Sequence, residues 1–376
     1  MQYKLLVKKI SVSADKKIKQ KEYLPIGKLP IIDQGKQLIG GYSDDISKQV
    51  SCNLPVIIFG DHTKNVKLIP FQFAAGADGI KVLEPKTNIS PKYLYYGTLY
   101  LTFRIEDKGY ARHYQHIEKQ DLPVPPLSEQ ERIVARIEEL FSELDKSVET
   151  LKKTKEQLVV YRQAVLKEAF DSIPKSQYVL LRTLMIGTPQ NGLYKPKSAY
   201  GNGTRILRVD GFYNGFIVND YDYKSLALTN EEIDKYSLKI GDLVVNRVNS
   251  MSHLGKCALV RQLNETTVFE SNIMRIQLNE ELVNLEYIVY YLSSLAGKKA
   301  LTKNAKQAVN QASINQTDVG NTLVPVPNLK IQISQLRVIE SRLSICDSIE
   351  KTVDTALQEA ESLRQSILKE AFEGGI

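Results

Sequence analysis

Short polar stretches hold the residues with the most chemistry to offer. His62, Thr63 and Lys64 form one, and Arg112, His113 and Tyr114 form a second. Farther along come Arg208, then Asn246, Arg247, Asn249, Ser250 and His253, then Lys306, Asn310 and Gln311. Arginine pairs with guanine edges, and asparagine or glutamine with adenine edges. Lysine and threonine commonly hold phosphates. These types point to nucleic-acid binding rather than to bond-making. Taken singly, each is better explained as a turn or surface residue. Asp61 suits a turn, His62 and His113 suit ordinary hydrogen bonding, and Tyr93, Tyr95 and Tyr96 suit a core.

Catalytic motifs are missing. A base-holding methyltransferase loop needs Asn or Asp before Pro-Pro and an aromatic after it. Pro125-Pro126 lies instead between Val124 and Leu127. Gly201-Asn202-Gly203 lacks the third glycine of a dinucleotide turn, and Gly255-Lys256-Cys257 lacks the upstream glycine and hydroxyl of a phosphate loop. Cys52, Cys257 and Cys346 are far apart and in no metal-binding spacing, which suits reduced thiols. No metal is expected. No apolar run is long enough to cross a membrane, and the N-terminal residues do not read as a secretory signal, so a cytoplasmic protein is expected.

The elements that must position the polar stretches are set by a repeat of 202 residues. Pro123-Val124-Pro125 recurs as Pro325-Val326-Pro327, and Leu166-Lys-Glu-Ala-Phe170 as Leu368-Lys-Glu-Ala-Phe372. Across 122–170 and 324–372 there are 17 identities in 49 positions without a gap, so the length itself is constrained. Gln130 matches Gln332, Asp145 matches Asp347, and Arg162 matches Arg364. Ile137, Leu144, Leu151, Leu158 and Val165 fall seven apart, as do Ile339, Cys346, Val353, Ala360 and Ile367. That is a coiled-coil seam. Ser128 and Glu131 suggest a capping box at the first helix start. From Glu129 to Phe170 such a helix would be about 63 Å long.

Before each helix lies a globular segment mixing strands with a short helix. In the first, Val56–Phe59, Lys67–Ile69 and Gly79–Leu83 read as strands and Tyr93–Tyr96 as helix. In the second, Arg205–Val209, Gly241–Val245 and Asn272–Ile276 read as strands and Glu286–Leu292 as helix. The expected organisation is therefore 1–121, globular; 122–172, helical; 173–322, globular; and 323–376, helical. The fold class is α+β, with two mixed globular domains separated by two long helices in an antiparallel coiled coil, a pseudo-two-fold arrangement. Net charge is +7 over 1–127 and +4 over 173–327, but −2 over 128–172 and −2 over 328–376. Basic heads suit phosphates; a solvated basic surface is the plain alternative.

The phrase Leu122-Pro-Val-Pro-Pro-Leu-Ser-Glu-Gln130, continuing through Ile133–Phe141 and ending Tyr161–Phe170, resembles the helical region of type I restriction–modification specificity subunits. The second copy resembles it too and departs at Asn328, Ile331 and Ile333. Gly60-Asp-His-Thr63, Gly76-Ala-Asp-Gly79 and Gly241–Ser250 are similar to phrases in that family's recognition domains. The resemblance implies a non-catalytic DNA-reading subunit, each head being a target-recognition domain for one half of an interrupted double-stranded site. It implies that the helices set the gap and bind two methyltransferase subunits, which use S-adenosylmethionine to methylate adenine. Two translocase–nuclease subunits, using ATP and Mg, complete the restriction enzyme. No cofactor is expected on this chain. A stand-alone pseudo-dimeric DNA-binding regulator remains the alternative, with an enzyme or a plain scaffold behind it.

Overall fold

A computed structural model of the chain describes all residues except 77–78, 106–111, 214, 219–220, 310 and 376. It divides into two compact units: Met1–Lys153 with Val353–Ile376, and Thr154–Thr352.

In the first unit an antiparallel sheet runs in the order Val7–Ile10, Ile80–Pro85, Val56–Gly60, Val66–Ile69. Its central strand is buried on both faces and reads as a continuous apolar run, Val56-Ile-Ile-Phe59. A smaller sheet pairs Leu29–Ile32 antiparallel with Gly41–Ser43 and parallel with Ala74–Ala75. In the second unit the equivalent sheet is Cys257–Leu259, Leu243–Asn246, Ile273–Ile276, Gln190–Asn191. There Thr204–Leu207 pairs antiparallel with Lys224–Leu226 and parallel with Thr267–Phe269. Two diverged sequences thus build one plan. The expected short helices are Pro91–Phe103 and Leu285–Ser293.

The long helices are Leu127–Asp171 and Leu329–Glu373, 45 residues each. The compact units do not follow the helix ends expected from the sequence. Each helix is divided near its middle, because its two halves pack with different heads. Within the second unit Arg162 meets Asp347 at 2.7 Å and Glu350 at 2.8 Å, while Glu168 meets Arg342 at 2.6 Å. The paired segments therefore run antiparallel. Within the first unit Arg364 pairs with Asp145. Arg162–Asp347 and Arg364–Asp145 are one ion pair made twice, with the repeat copies exchanged. Of the seam residues, Ile137, Leu158, Val165, Ile339, Cys346, Val353, Ala360 and Ile367 are buried, and Leu144 and Leu151 are half-buried.

The same exchange closes the cores. Phe372 packs on Tyr93 (ring centroids 5.0 Å apart) and stacks on Tyr100 (5.3 Å) beneath the first short helix. Phe170 meets Tyr287 and Tyr291, each at 5.2 Å, beneath the second. Each head's core is thus completed by the end of the long helix that does not directly follow it. Gly97 lets the chains approach: a Cβ there would lie 2.7 Å from Leu122 and 3.2 Å from Phe372.

Helix entry corrects the expected capping box. The first long helix begins at Leu127, so Ser128 lies inside its first turn, and the Pro126 carbonyl accepts the amides of Glu129 (2.9 Å) and Gln130 (3.0 Å). Gln130, fully buried, donates to the Pro125 carbonyl (2.8 Å) and accepts from the Ser90 amide (2.8 Å), at the residue preceding the short helix. Its copy Gln332 donates to the Pro327 carbonyl (2.6 Å) and accepts from the Asn284 amide (2.8 Å), again before the short helix. A buried amide is tolerable because both ends are satisfied, and the result fixes each head to its helix.

Phe372→Ala should destabilise the first unit by about 3–5 kcal/mol in equilibrium urea unfolding, the range for emptying a buried aromatic site. Glu359→Ala on the exposed helix surface should change it by less than about 0.5 kcal/mol. A Phe372 effect as small as that of Glu359 would contradict the packing described.

Candidate nucleic-acid interface

In both units the central strand leaves its sheet through a turn pinned at one residue. In the first, the Asp61 amide donates to the Gly79 carbonyl (2.6 Å), and the Asp61 carbonyl accepts from the His113 amide (2.8 Å). In the second, the Arg247 amide donates to the Asn272 carbonyl (2.8 Å), and the Arg247 carbonyl accepts from the Ile314 amide (2.9 Å). Each backbone lock is followed by a short helix, Tyr114–Ile117 or Gln316–Gly320. It gathers His62–Lys64 with Arg112–His113 in one head. It gathers Arg247–Ser250 with Lys306–Ala308 and Gln311 in the other. The polar stretches singled out in the sequence therefore converge, pairwise, on equivalent places.

The side chains at those places differ. Asp61 is buried; it accepts from the Tyr114 amide (2.9 Å) and pairs with Lys81 (3.0 Å). Burial alone would raise its carboxyl, but the Tyr114 amide and the Lys81 ammonium outweigh that and hold it below the usual carboxylate range. At the matching position stands Arg247, whose Nη1 donates to the Ser271 carbonyl (3.1 Å) and whose buried Nε has no partner among the described residues. Burial pulls its guanidinium below the usual arginine range.

Burial corrects three of the expected contacts, His113, Tyr114 and Asn246, while the other described ones are exposed or half-buried. His113 and Tyr114 are buried, the latter with its ring 5.9 Å from Phe59 in the core, so neither side chain is presented to a ligand. Asn246 is fully buried and donates to the His253 carbonyl (3.2 Å), holding the loop rather than facing outward. The Thr63 hydroxyl donates to the Gln34 carbonyl (2.7 Å), and Lys64 sits in the left-handed region at φ 57°; both shape the turn. Arg208 is oriented by Glu270, with Nε 3.4 Å from the carboxylate. His62 is half-buried and Arg112 exposed. Asn310 lies outside the described residues.

The second head's loop is well braced. Asn249 Oδ1 accepts from the Ser250 amide (2.8 Å), and the hydroxyls of Ser250 and Ser252 lie 3.1 and 2.8 Å from His253 Nδ1. Lys298, not anticipated from the sequence, donates to the Ser252 carbonyl (2.6 Å). Lys256 lies 3.6 Å from the centre of the Tyr213 ring, a cation–π contact. Val248–Asn249 pairs with Gln311–Ser313, which pairs with Lys306–Ala308, so the loop and a hairpin stand side by side. Met251, Gln307 and Val309 are exposed there. None of the three is marked by a motif or a period in the sequence. The nearest signal is an isolated valine within Lys306-Gln-Ala-Val-Asn-Gln311.

No group of three or more His, Cys, Asp or Glu side chains able to hold a metal occurs among the described residues. No described helix is long and apolar enough to cross a membrane.

The family model described as "Type I restriction modification DNA specificity domain" matches residues 7–158 and 192–359, one copy for each head and the helix segment after it. The chain belongs to this family. Among specificity subunits, it is 27% identical over 386 residues to that of StySPI from Salmonella potsdam, covering 94% of this chain and 83% of that protein. It is 28% identical over 267 residues to that of EcoKI from Escherichia coli K12. The latter match covers 68% of this chain and only 57% of the EcoKI subunit, little more than half its length. The fold is shared with the HsdS subunit from Thermoanaerobacter tengcongensis, at a TM-score of 0.50 and 16% identity over 100% of this chain and 96% of that one. It is also shared with a chain solved in work on complex assembly and conformational transition of the type I R-M system, at a TM-score of 0.68 and 16% identity over 100% and 97%.

Asp61 contributes stability that is fully present above about pH 3.9, the unfolded carboxyl value, and is lost as pH falls through its lower folded value. Asp61→Asn should therefore flatten the acid limb of the first unit's stability, read by urea unfolding at a series of pH values. An unchanged limb would mean that Lys81 and Tyr114 do not favour the ionised form.

Proposed function

We propose that the chain is the non-catalytic DNA-reading subunit of a type I restriction–modification enzyme, and that each head reads one half of an interrupted double-stranded site. The observation that carries this reading is the matched backbone lock at Asp61 and Arg247, surrounded by unlike side chains. One framework with different polar groups is what two different half-sites require. The basic heads supply phosphate attraction, and the exposed groups around the locks supply base contacts.

The helices, net negative and seamed together, serve a separate role. They fix the gap between the half-sites and offer their outer faces to two adenine-methyltransferase subunits. S-adenosylmethionine is bound by those subunits, not by this chain. Translocase–nuclease subunits, with ATP and Mg, join the same assembly for restriction. The assembly works in the cytoplasm, on double-stranded DNA.

Inserting seven residues after Lys155 and seven at the equivalent position after Leu357 keeps the seam in register and lengthens both helices by about 10 Å. The methylated site should then show a longer gap between unchanged half-sites, read by adenine-methylation sequencing. Altered half-sites with the old gap would overturn the role given to the helices.

A further inference from the structure

The hairpin of the second head has features that the fold does not use. Its strands, Lys306–Ala308 and Gln311–Ser313, pair in the register Ala308↔Gln311, Gln307↔Ala312, Lys306↔Ser313. Alternation puts Ala312 and Gln311 on opposite faces. Ala312 is buried and anchors the ribbon, while Gln311 and Lys306 are exposed. The Gln311 amide makes no hydrogen bond among the described residues. At the tip Val309 is 91% exposed. A lone exposed valine is common on a protein surface; this one stands at the end of a polar ribbon, beside an unbonded glutamine amide. A groove of about 410 Å³ beside the ribbon is lined by Ser250, Gln307, Ala308, Gln311 and Met251, a second exposed apolar side chain.

We infer that this hairpin enters the major groove and reads an adenine–thymine pair of the second half-site, Gln311 taking the adenine and Val309 the thymine methyl. The inference rests on the DNA-reading role proposed above. A two-stranded ribbon fits the major groove, where adenine offers N7 and the N6 amino group to one side-chain amide. Thymine alone projects a methyl there, and an exposed aliphatic tip is its natural contact. Lys306, on the same face as Gln311, lies beside the pair and holds a phosphate. Bracing of the neighbouring loop by Lys298 and His253 keeps the groove open before DNA arrives.

The test is adenine-methylation sequencing of cells carrying the full chain with its methyltransferase subunits. Val309→Ala should relax discrimination about ten-fold at one adenine–thymine position of one half-site, leaving the other half-site intact. Gln311→Glu, an acceptor suited to the cytosine amino group, should shift preference from adenine towards cytosine at that position. Both side chains are exposed, so neither change disturbs a core. An unchanged motif in both variants, or a uniform fall in methylation with all preferences kept, would overturn the inference while leaving the DNA-reading role standing. A wild-type chain that directs no interrupted motif would overturn that role itself, and the inference with it.

Discussion

Phe170 and Phe372 carry the constraint on which the rest of the structure depends. Each ends one long helix, and each fills the core beneath the short helix of the head that its own helix does not directly follow. The first head therefore takes part of its core from the far end of the chain, and the second from the helix that precedes it. The ion pairs obey the same rule, since Arg364 reaches Asp145 and Arg162 reaches Asp347. Exposed pairs of this kind contribute little stability; their value here is register. Phenylalanine packing supplies the energy and the arginines supply the alignment. An insertion in one copy alone would misplace both, which is why the repeat keeps 49 positions without a gap.

Against that fixed frame the heads are free to differ. The buried glutamines at 130 and 332 tie each head to its helix through main-chain atoms, so the head's side chains need not match. The locks at Asp61 and Arg247 are also main-chain contacts. Hydrogen bonds to carbonyls and amides are indifferent to side-chain type, so the exposed residues can be exchanged without loss of the scaffold. Divergence of Asp61–Lys81 on one side and Arg247 on the other follows directly.

The helical half of the protein was legible in the sequence because its period is. Seven-residue spacing and gap-free copying need no tertiary knowledge, and the strands and short helices of both heads were readable as short runs rich in apolar residues. What failed were the details that tertiary contacts decide. The Pro126 carbonyl replaces the capping box that Ser128 and Glu131 suggested. His113, Tyr114 and Asn246 look like exposed loop residues in one dimension, but Asn246 ends a buried strand, Tyr114 begins a short helix with His113 just before it, and all three are buried. Val309 carries no periodic signal in the sequence, and only the hairpin shows that it faces outward. Polar residues bracing a loop and polar residues meeting a ligand have the same composition, and only geometry separates them.

The central claim is that the chain supplies the sequence specificity of an adenine-methylating complex through two heads. The most direct measurement is genome-wide adenine-methylation sequencing of the native host with the gene present and deleted. The account predicts loss of one two-part motif with a fixed internal gap and no change elsewhere. Retention of every methylated motif after deletion, in cells shown to express the chain beforehand, would contradict it.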